Sequence, residues 1–176
     1  MRAGYLGRFE ALKGVHDLAR AVRALPASLP IRVELRGPAV TMAERRCVAE
    51  LHALVGDDPR VTFAPAVPHE AAADVLAGYD VLCCPSLAVE GGPTVAIEAH
   101  AVGTPVIGTR LGGLAELVTD EVNGRLVRPG SWRELAAALT DIAMAPAATV
   151  DRWRRALPPA RTMDQIAADY LEMYAR

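Results

Sequence analysis

Two short clusters in this chain combine residue types suited to holding an anion. Gly7-Arg8 is followed by Lys13-Gly14, and much later Glu90-Gly91-Gly92-Pro93-Thr94 is followed by Glu98. Arg8 and Lys13 supply two cations beside glycines that let backbone approach a ligand closely. Pro93-Thr94 reads as the opening of a helix, whose first amides have no intrahelical acceptor and lie at the positive end of the dipole. That array suits phosphate groups, most naturally a diphosphate. Charge-assisted hydrogen bonds contribute about 1.5–3 kcal/mol each and a helix terminus roughly 0.3–1 kcal/mol. Two cations and one terminus can therefore hold a diphosphate without a metal ion, and no carboxylate pair is spaced as a set of metal ligands.

Glu90 and Glu98 require a different partner. Eight positions apart, one sits in the loop at the helix mouth and the other deeper on the helix. Two carboxylates near a negative ligand repel it unless they accept hydrogen bonds from hydroxyls, and sugars supply hydroxyls. A division of labour follows in which Arg8, Lys13 and the helix start take phosphates while Glu90 and Glu98 take a sugar ring and a ribose. A nucleotide sugar contains all three parts. Taken singly, Arg8 reads as a surface ion-pair residue, Lys13 as a solvated loop lysine, Glu90 as a turn residue and Glu98 as a helix-surface carboxylate; their joint placement favours a site.

The elements that must position these clusters are legible as a βαβ rhythm. Strands are expected at Ala3–Gly7, Ile31–Leu35, Val61–Phe63, Val81–Cys84, Pro105–Gly108 and Arg125–Val127. Between them fall helix-periodic segments: Val15, Leu18, Ala19, Val22 and Leu25, then Glu44–Val55, Ala71–Ala77, Thr94–Val102, a short helix at Leu114–Val118, and Trp132–Met144. The strands are continuously apolar, the pattern of a parallel sheet covered on both faces. The fold class is therefore α/β, a doubly wound parallel sheet of Rossmann-like type. Asn123-Gly124 signals a turn, Ser131 with Glu134 a capping box, and Thr162 with Gln165 a second one before a final helix ending at Tyr174. The stretch between Ala145 and Arg161, rich in Ala, Pro and Arg, has no assigned element. In a sheet of order 3-2-1-4-5-6, strands 1 and 4 flank the point where the order reverses, so both clusters fall on one cleft at the carboxyl ends of strands.

Composition narrows the class further. The chain has 176 residues, 52% of them hydrophobic, enough for one well-buried core. A net charge of -2 with interspersed signs gives no nucleic-acid footprint and no polybasic membrane patch. No apolar run approaches the length of about 18 residues needed to span a bilayer, and no leader pattern follows Met1, so the chain reads as cytoplasmic. Cys83 and Cys84 are neighbours in an apolar run, and with Cys47 read as reduced, buried residues. His16, His52, His69 and His100 are scattered without ligand spacing and read as structural or surface residues.

The ordered string of Gly7-Arg8, Lys13-Gly14, Pro85-Ser86, Glu90 with Glu98-Ala99, Gly103-Thr104-Pro105-Val106, Gly112-Gly113 with Glu116, and Asn123-Gly124 resembles the carboxyl-terminal domain of retaining GT-B glycosyltransferases of family 4. The resemblance covers nearly the whole chain. It implies a single carboxyl-terminal half of a GT-B fold over residues 1–176, with 162–176 a terminal helix that in the family packs on an amino-terminal acceptor-binding domain missing from this chain. It implies Arg8 and Lys13 on the donor diphosphate, Glu90 and the amides of Gly91, Gly92 and Thr94 on the transferred sugar, Glu98 on the ribose, and Val67 as a backbone contact to the base. Gly7 and Pro93 complete the implied donor site, with Arg8, Lys13 and Glu90 in the catalytic roles. The implied chemistry is front-face transfer from a UDP- or GDP-sugar with retention, without metal or resident cofactor, the leaving phosphate taking up the acceptor's proton.

The chain departs from the family pattern at three places. Gly92-Pro93 stands where Phe-Gly is common, and Pro93 has no N–H to offer a sugar hydroxyl. Pro65 replaces a common Gly near the base, and His100 replaces a common Met. Gly112 and Gly113 are open to two readings, as the turn into the next helix or as a loop approaching the phosphates; Glu116 reads as structural. A non-catalytic nucleotide-sugar-binding module is the alternative function, and a dinucleotide-binding Rossmann domain is disfavoured because no G-x-G-x-x-G follows the first strand.

Overall fold

A computed structural model describes residues 1–175. Six strands form one sheet in the order β3-β2-β1-β4-β5-β6, every neighbouring pair parallel. They are β1 Arg2–Leu6, β2 Arg32–Gly37, β3 Val61–Pro65, β4 Val81–Cys84, β5 Val106–Thr109 and β6 Gly124–Val127. The connecting helices are α1 Val15–Ala24, α2 Met42–Val55, α3 His69–Ala77, α4 Thr94–Ala101 and α5 Gly112–Leu117, followed by α6 Trp132–Met144, α7 Pro146–Arg155 and α8 Met163–Tyr174. The doubly wound α/β architecture expected from the strand pattern is the one observed.

All four residues of β4 and all four of β5 are buried, so these central strands are covered on both sides. Successive side chains go to opposite faces. Val81 and Cys83 join a core with Leu18, Val22, Leu51, Leu139 and Trp153, drawn from α1, α2, α6 and α7. Leu82 and Cys84 join a second core with Leu76, Ala96, Ala99 and Leu114, drawn from α3, α4 and α5. Each fully buried leucine contributes about 1.5–3 kcal/mol relative to exposure. All three cysteines are free and buried, as their apolar surroundings imply.

Local chemistry sets the helix ends, and it differs from expectation in places. α2 begins at Met42 rather than Glu44, because Thr41 caps it and Glu44 reaches back to the Thr41 amide, a full capping box. Thr162 and Gln165 form the expected box on α8. Only half of the expected Ser131–Glu134 box forms: Ser131 accepts from the Glu134 amide, but the Glu134 carboxylate turns to the backbone amide and guanidinium of Arg128. The unassigned stretch contains α7, with Pro146 in its first turn, where a missing N–H costs nothing. Trp153 anchors this helix, fully buried and donating from Nε1 to the Glu121 carbonyl at 3.2 Å. α8 buries no residue at all; Met163, Tyr170, Leu171, Met173 and Tyr174 stand exposed along it.

Candidate functional site

The two sequence clusters meet at the carboxyl ends of β1 and β4, where the strand order reverses. β1 runs out at Leu6, and the Gly7 amide extends the ladder by one bond to the Arg36 carbonyl at 3.0 Å. The Tyr5 hydroxyl donates to the Arg8 carbonyl at 2.5 Å and fixes the backbone as it leaves the sheet. Burial pushes the Tyr5 phenol well above its ordinary range, so it remains a donor. The Arg8 side chain is 64% exposed, with Nη2 2.6 Å from Glu10 Oε1 and Nε 3.6 Å from Glu44 Oε1.

A 3-10 turn, Ala11–Lys13, then leads to Gly14 with φ of 68°. A Cβ on Gly14 would lie 1.8 Å from the Pro85 carbonyl oxygen, so glycine is demanded twice, by conformation and by contact. The same approach lets the Leu87 amide donate to the Leu12 carbonyl at 2.8 Å. The β1–α1 and β4–α4 loops are thereby joined backbone to backbone, which puts Lys13 Nζ 2.8 Å from Glu90 Oε2. Ser86 Oγ donates to Glu90 Oε1 at 2.5 Å, and Thr109 Oγ1 donates to the Ser86 carbonyl at 2.7 Å. Burial alone would raise the Glu90 pKa; hydrogen bonds from Lys13 and Ser86 and the Lys13 charge outweigh it and hold the carboxyl below its ordinary value.

The loop around Glu90 is gripped from its other side by α5. The Gly113 amide donates to the Glu90 carbonyl at 2.8 Å, and a Cβ on Gly112, where φ is 45°, would lie 2.7 Å from the same oxygen. Gly112 and Gly113 open α5, as the first of their two readings has it, and pack against the Glu90 loop. Glu116 is exposed on α5. At the start of α4 no side chain caps the helix, and the amides of Ala96 and Ile97 both go to the Pro93 carbonyl. Among the described residues, nothing accepts from the Thr94 or Val95 amide.

These groups surround a cleft of about 260 Å³. Gly7, Arg8 and Lys13 line one wall and Glu90, Gly92, Pro93 and Thr94 the other. Gly91, Glu98 and Val67 do not line it: Gly91 is exposed, Val67 lies in the loop after β3, and Glu98 is half-buried on the second turn of α4. The Glu98 carboxylate has no hydrogen-bond or ion-pair partner among the described residues. Sequence reasoning assigned no role to Tyr5, Glu10 or Glu44, and quoted Ser86 only as part of a string. The Thr41-x-x-Glu44 capping spacing was the one available signal for Glu44.

Two other concavities frame this one. An apolar groove of about 450 Å³ lies at the carboxyl ends of β2 and β3, bounded by Phe9, Pro38, Val40, Phe63 and Ala66. A larger, open groove of about 590 Å³ lies at the opposite end of the strands, beside Met1, Arg32 and Arg60. Arg60 there is already engaged by Asp58 and by the carbonyls of Val22, Leu25 and Pro26, and ligands of open α/β sheets bind at the carboxyl ends. Of the histidines, His100 is buried with neither ring nitrogen hydrogen-bonded among the described residues, and burial pushes its pKa down to about 4. No group of three or more His, Cys, Asp or Glu residues able to hold a metal ion occurs among the described residues, and no described helix is long and apolar enough to cross a membrane.

The family described as "Glycosyl transferases group 1" matches residues 1–144. A D-inositol 3-phosphate glycosyltransferase of Corynebacterium urealyticum is 38% identical over 144 residues, covering 77% of this chain and 34% of its own. The chain thus spans about a third of the length of such a relative. Among solved structures, sucrose-phosphate synthase from Thermosynechococcus elongatus aligns with a TM-score of 0.81 at 33% identity, over 99% of this chain and 44% of that one. Anabaena HepE in complex with UDP-glucose aligns with a TM-score of 0.79 at 27% identity, over 98% of this chain and 48% of that one. The chain belongs to the glycosyl transferases group 1 family and has the fold of the carboxyl-terminal half of a GT-B glycosyltransferase.

Proposed function

We propose that the chain is the donor-binding half of a retaining, metal-independent glycosyltransferase that moves a sugar from a UDP- or GDP-sugar in the cytoplasm. The observation that carries this reading is the convergence of Arg8, Lys13 and the unpaired Thr94 and Val95 amides on one cleft at the reversal of strand order. Arg8 and Lys13 hold the diphosphate and stabilise the negative charge that develops on it as the glycosidic bond breaks. The departing phosphate takes up the acceptor's proton, so this chemistry calls for no paired acid and base. Glu90, with the Gly91, Gly92 and Thr94 amides, grips the sugar hydroxyls, and Glu98, unpartnered in the free chain, accepts from the ribose.

The apolar groove by Phe9, Phe63 and Ala66, next to Val67, has the position and character to receive the base. UDP-glucose in HepE makes uridine the first nucleotide to test. Transfer requires an amino-terminal acceptor domain, for which the exposed apolar side chains of α8 provide a docking face. Calorimetric titration with UDP, GDP, ADP and NAD in EDTA tests the reading. One nucleoside diphosphate should bind this domain at about 10 μM to 1 mM, equivalent to about −7 to −4 kcal/mol, and Arg8→Ala and Glu98→Ala should weaken it. Binding of NAD alone would overturn the assignment.

A further inference from the structure

Arg8 lies between two carboxylates of unlike character. Glu44 is 6% exposed and immobilised: its Oε2 accepts from the Val40 and Thr41 amides at 3.0 and 2.9 Å, leaving Oε1 toward Arg8 Nε at 3.6 Å. Those amides, Thr41's foremost, together with the Arg8 charge, hold the Glu44 carboxyl below its ordinary range against the opposing effect of burial. Glu10 is 36% exposed, stands in the loop beside the cleft, and contacts Arg8 at Nη2, 2.6 Å away, with no other side-chain partner among the described residues. Nε and Nη2 are separate donors of the guanidinium, and each of the two carboxylates faces one of them.

We propose that Glu44 is a positioning residue that holds the Arg8 guanidinium through Nε at the cleft wall, and that Glu10 is an anion that competes with the donor phosphate for Nη2. On binding, a phosphate oxygen replaces Glu10 while the Glu44 contact persists. Long-range electrostatics predicts that removing either negative charge favours an anionic ligand. The geometry predicts opposite signs. This inference rests on the reading of Arg8 as a diphosphate contact.

Titration of the chain with UDP in EDTA, at low and moderate salt, separates the possibilities. Glu10→Gln is expected to tighten UDP about threefold, the scale of an exposed ion pair. Glu44→Gln, which keeps an amide oxygen for the Val40 and Thr41 amides, is expected to weaken it about fivefold, more at low salt. Both effects should vanish in an Arg8→Ala background. Thr41→Ala, which weakens the same cap and leaves the Glu44 charge, should leave UDP affinity within about twofold and thereby separates positioning from fraying of α2. Tightening in both glutamine variants, or effects that persist without Arg8, would overturn the inference. If Arg8→Ala weakens UDP but neither glutamine variant does anything, this inference alone falls; if Arg8→Ala binds UDP as tightly as the parent, the donor-site reading of Arg8 falls with it.

Discussion

Lys13 and Glu90 satisfy each other, so the cleft shows a smaller positive field than its cation count implies. Under the proposed function, a phosphate that drew Lys13 away would free Glu90 Oε2 for a sugar hydroxyl and so couple the two parts of the donor. Glu90→Gln is therefore expected to tighten UDP severalfold, about 0.5–1 kcal/mol, while weakening a UDP-sugar relative to UDP; calorimetry with both ligands checks it. His100 gives a second residue-level prediction. A buried imidazole with two unsatisfied nitrogens costs about 1–3 kcal/mol, so His100→Met should raise stability in urea by about 1 kcal/mol at pH 7. Its folded pKa, about 4, lies below the ordinary value of 6.5, so the unfolded chain takes up the proton first and stability is lost as pH falls from 6.5 toward 4. The stabilisation by His100→Met should accordingly grow between pH 7 and pH 5. Arg8, Lys13, Glu90 and Glu98 could be singled out from sequence because residue type and neighbouring glycines mark them. Tyr5, Glu10 and Ser86 could not, because an aromatic in a strand, a loop acid and a serine after a proline acquire meaning only from the oxygen or cation that the fold brings to them.

At the scale of elements, the strands were legible from their uninterrupted apolar runs, and most helix limits from caps. Glu134 shows where such reasoning stops. The Ser-x-x-Glu spacing is correct, yet Arg128 lies close enough to take the carboxylate, and a charged partner wins over a neutral amide. α7 was hidden because Pro, Ala and Arg read as linker, while its anchor, Trp153, finds its hydrogen-bond acceptor 32 residues away. The decisive connector is Gly14. An alanine there meets a left-handed backbone, which costs about 1–2 kcal/mol, and the Pro85 carbonyl besides. Gly14→Ala is expected to destabilise the chain by about 2 kcal/mol or more and to lower UDP affinity by moving the loop that carries Arg8 and Lys13 away from the opposite wall of the cleft. Urea melts and titration of the refolded variant would show both effects.

For the whole molecule, the two cores hold the sheet and α8 adds nothing to either. Deleting residues 162–176 should leave the melting temperature unchanged to within about 2 °C and leave UDP affinity intact, as measured by thermal denaturation and titration. Stability should also fall in acid. Glu34, Asp58 and Glu90 are each held below their ordinary pKa by hydrogen bonds from cationic and hydroxyl partners. Carboxylates of this kind stabilise the fold fully above the unfolded values and lose that contribution as pH drops through the lowered ones. Urea midpoints taken from pH 7 to pH 3 should decline most steeply below the ordinary carboxylate range.

The hydrogen bond from Leu87 to Leu12 has a kinetic consequence. It ties together loops some 75 residues apart along the chain, and ordering so long an intervening segment is slow and entropically costly. Contacts that close so long a loop are expected to form late, so the site should be absent from the folding transition state. A nucleotide that bridges the walls should then lengthen the native lifetime while leaving the refolding rate untouched. In stopped-flow experiments the unfolding arm of the chevron should drop with added UDP and the folding arm should stay where it is.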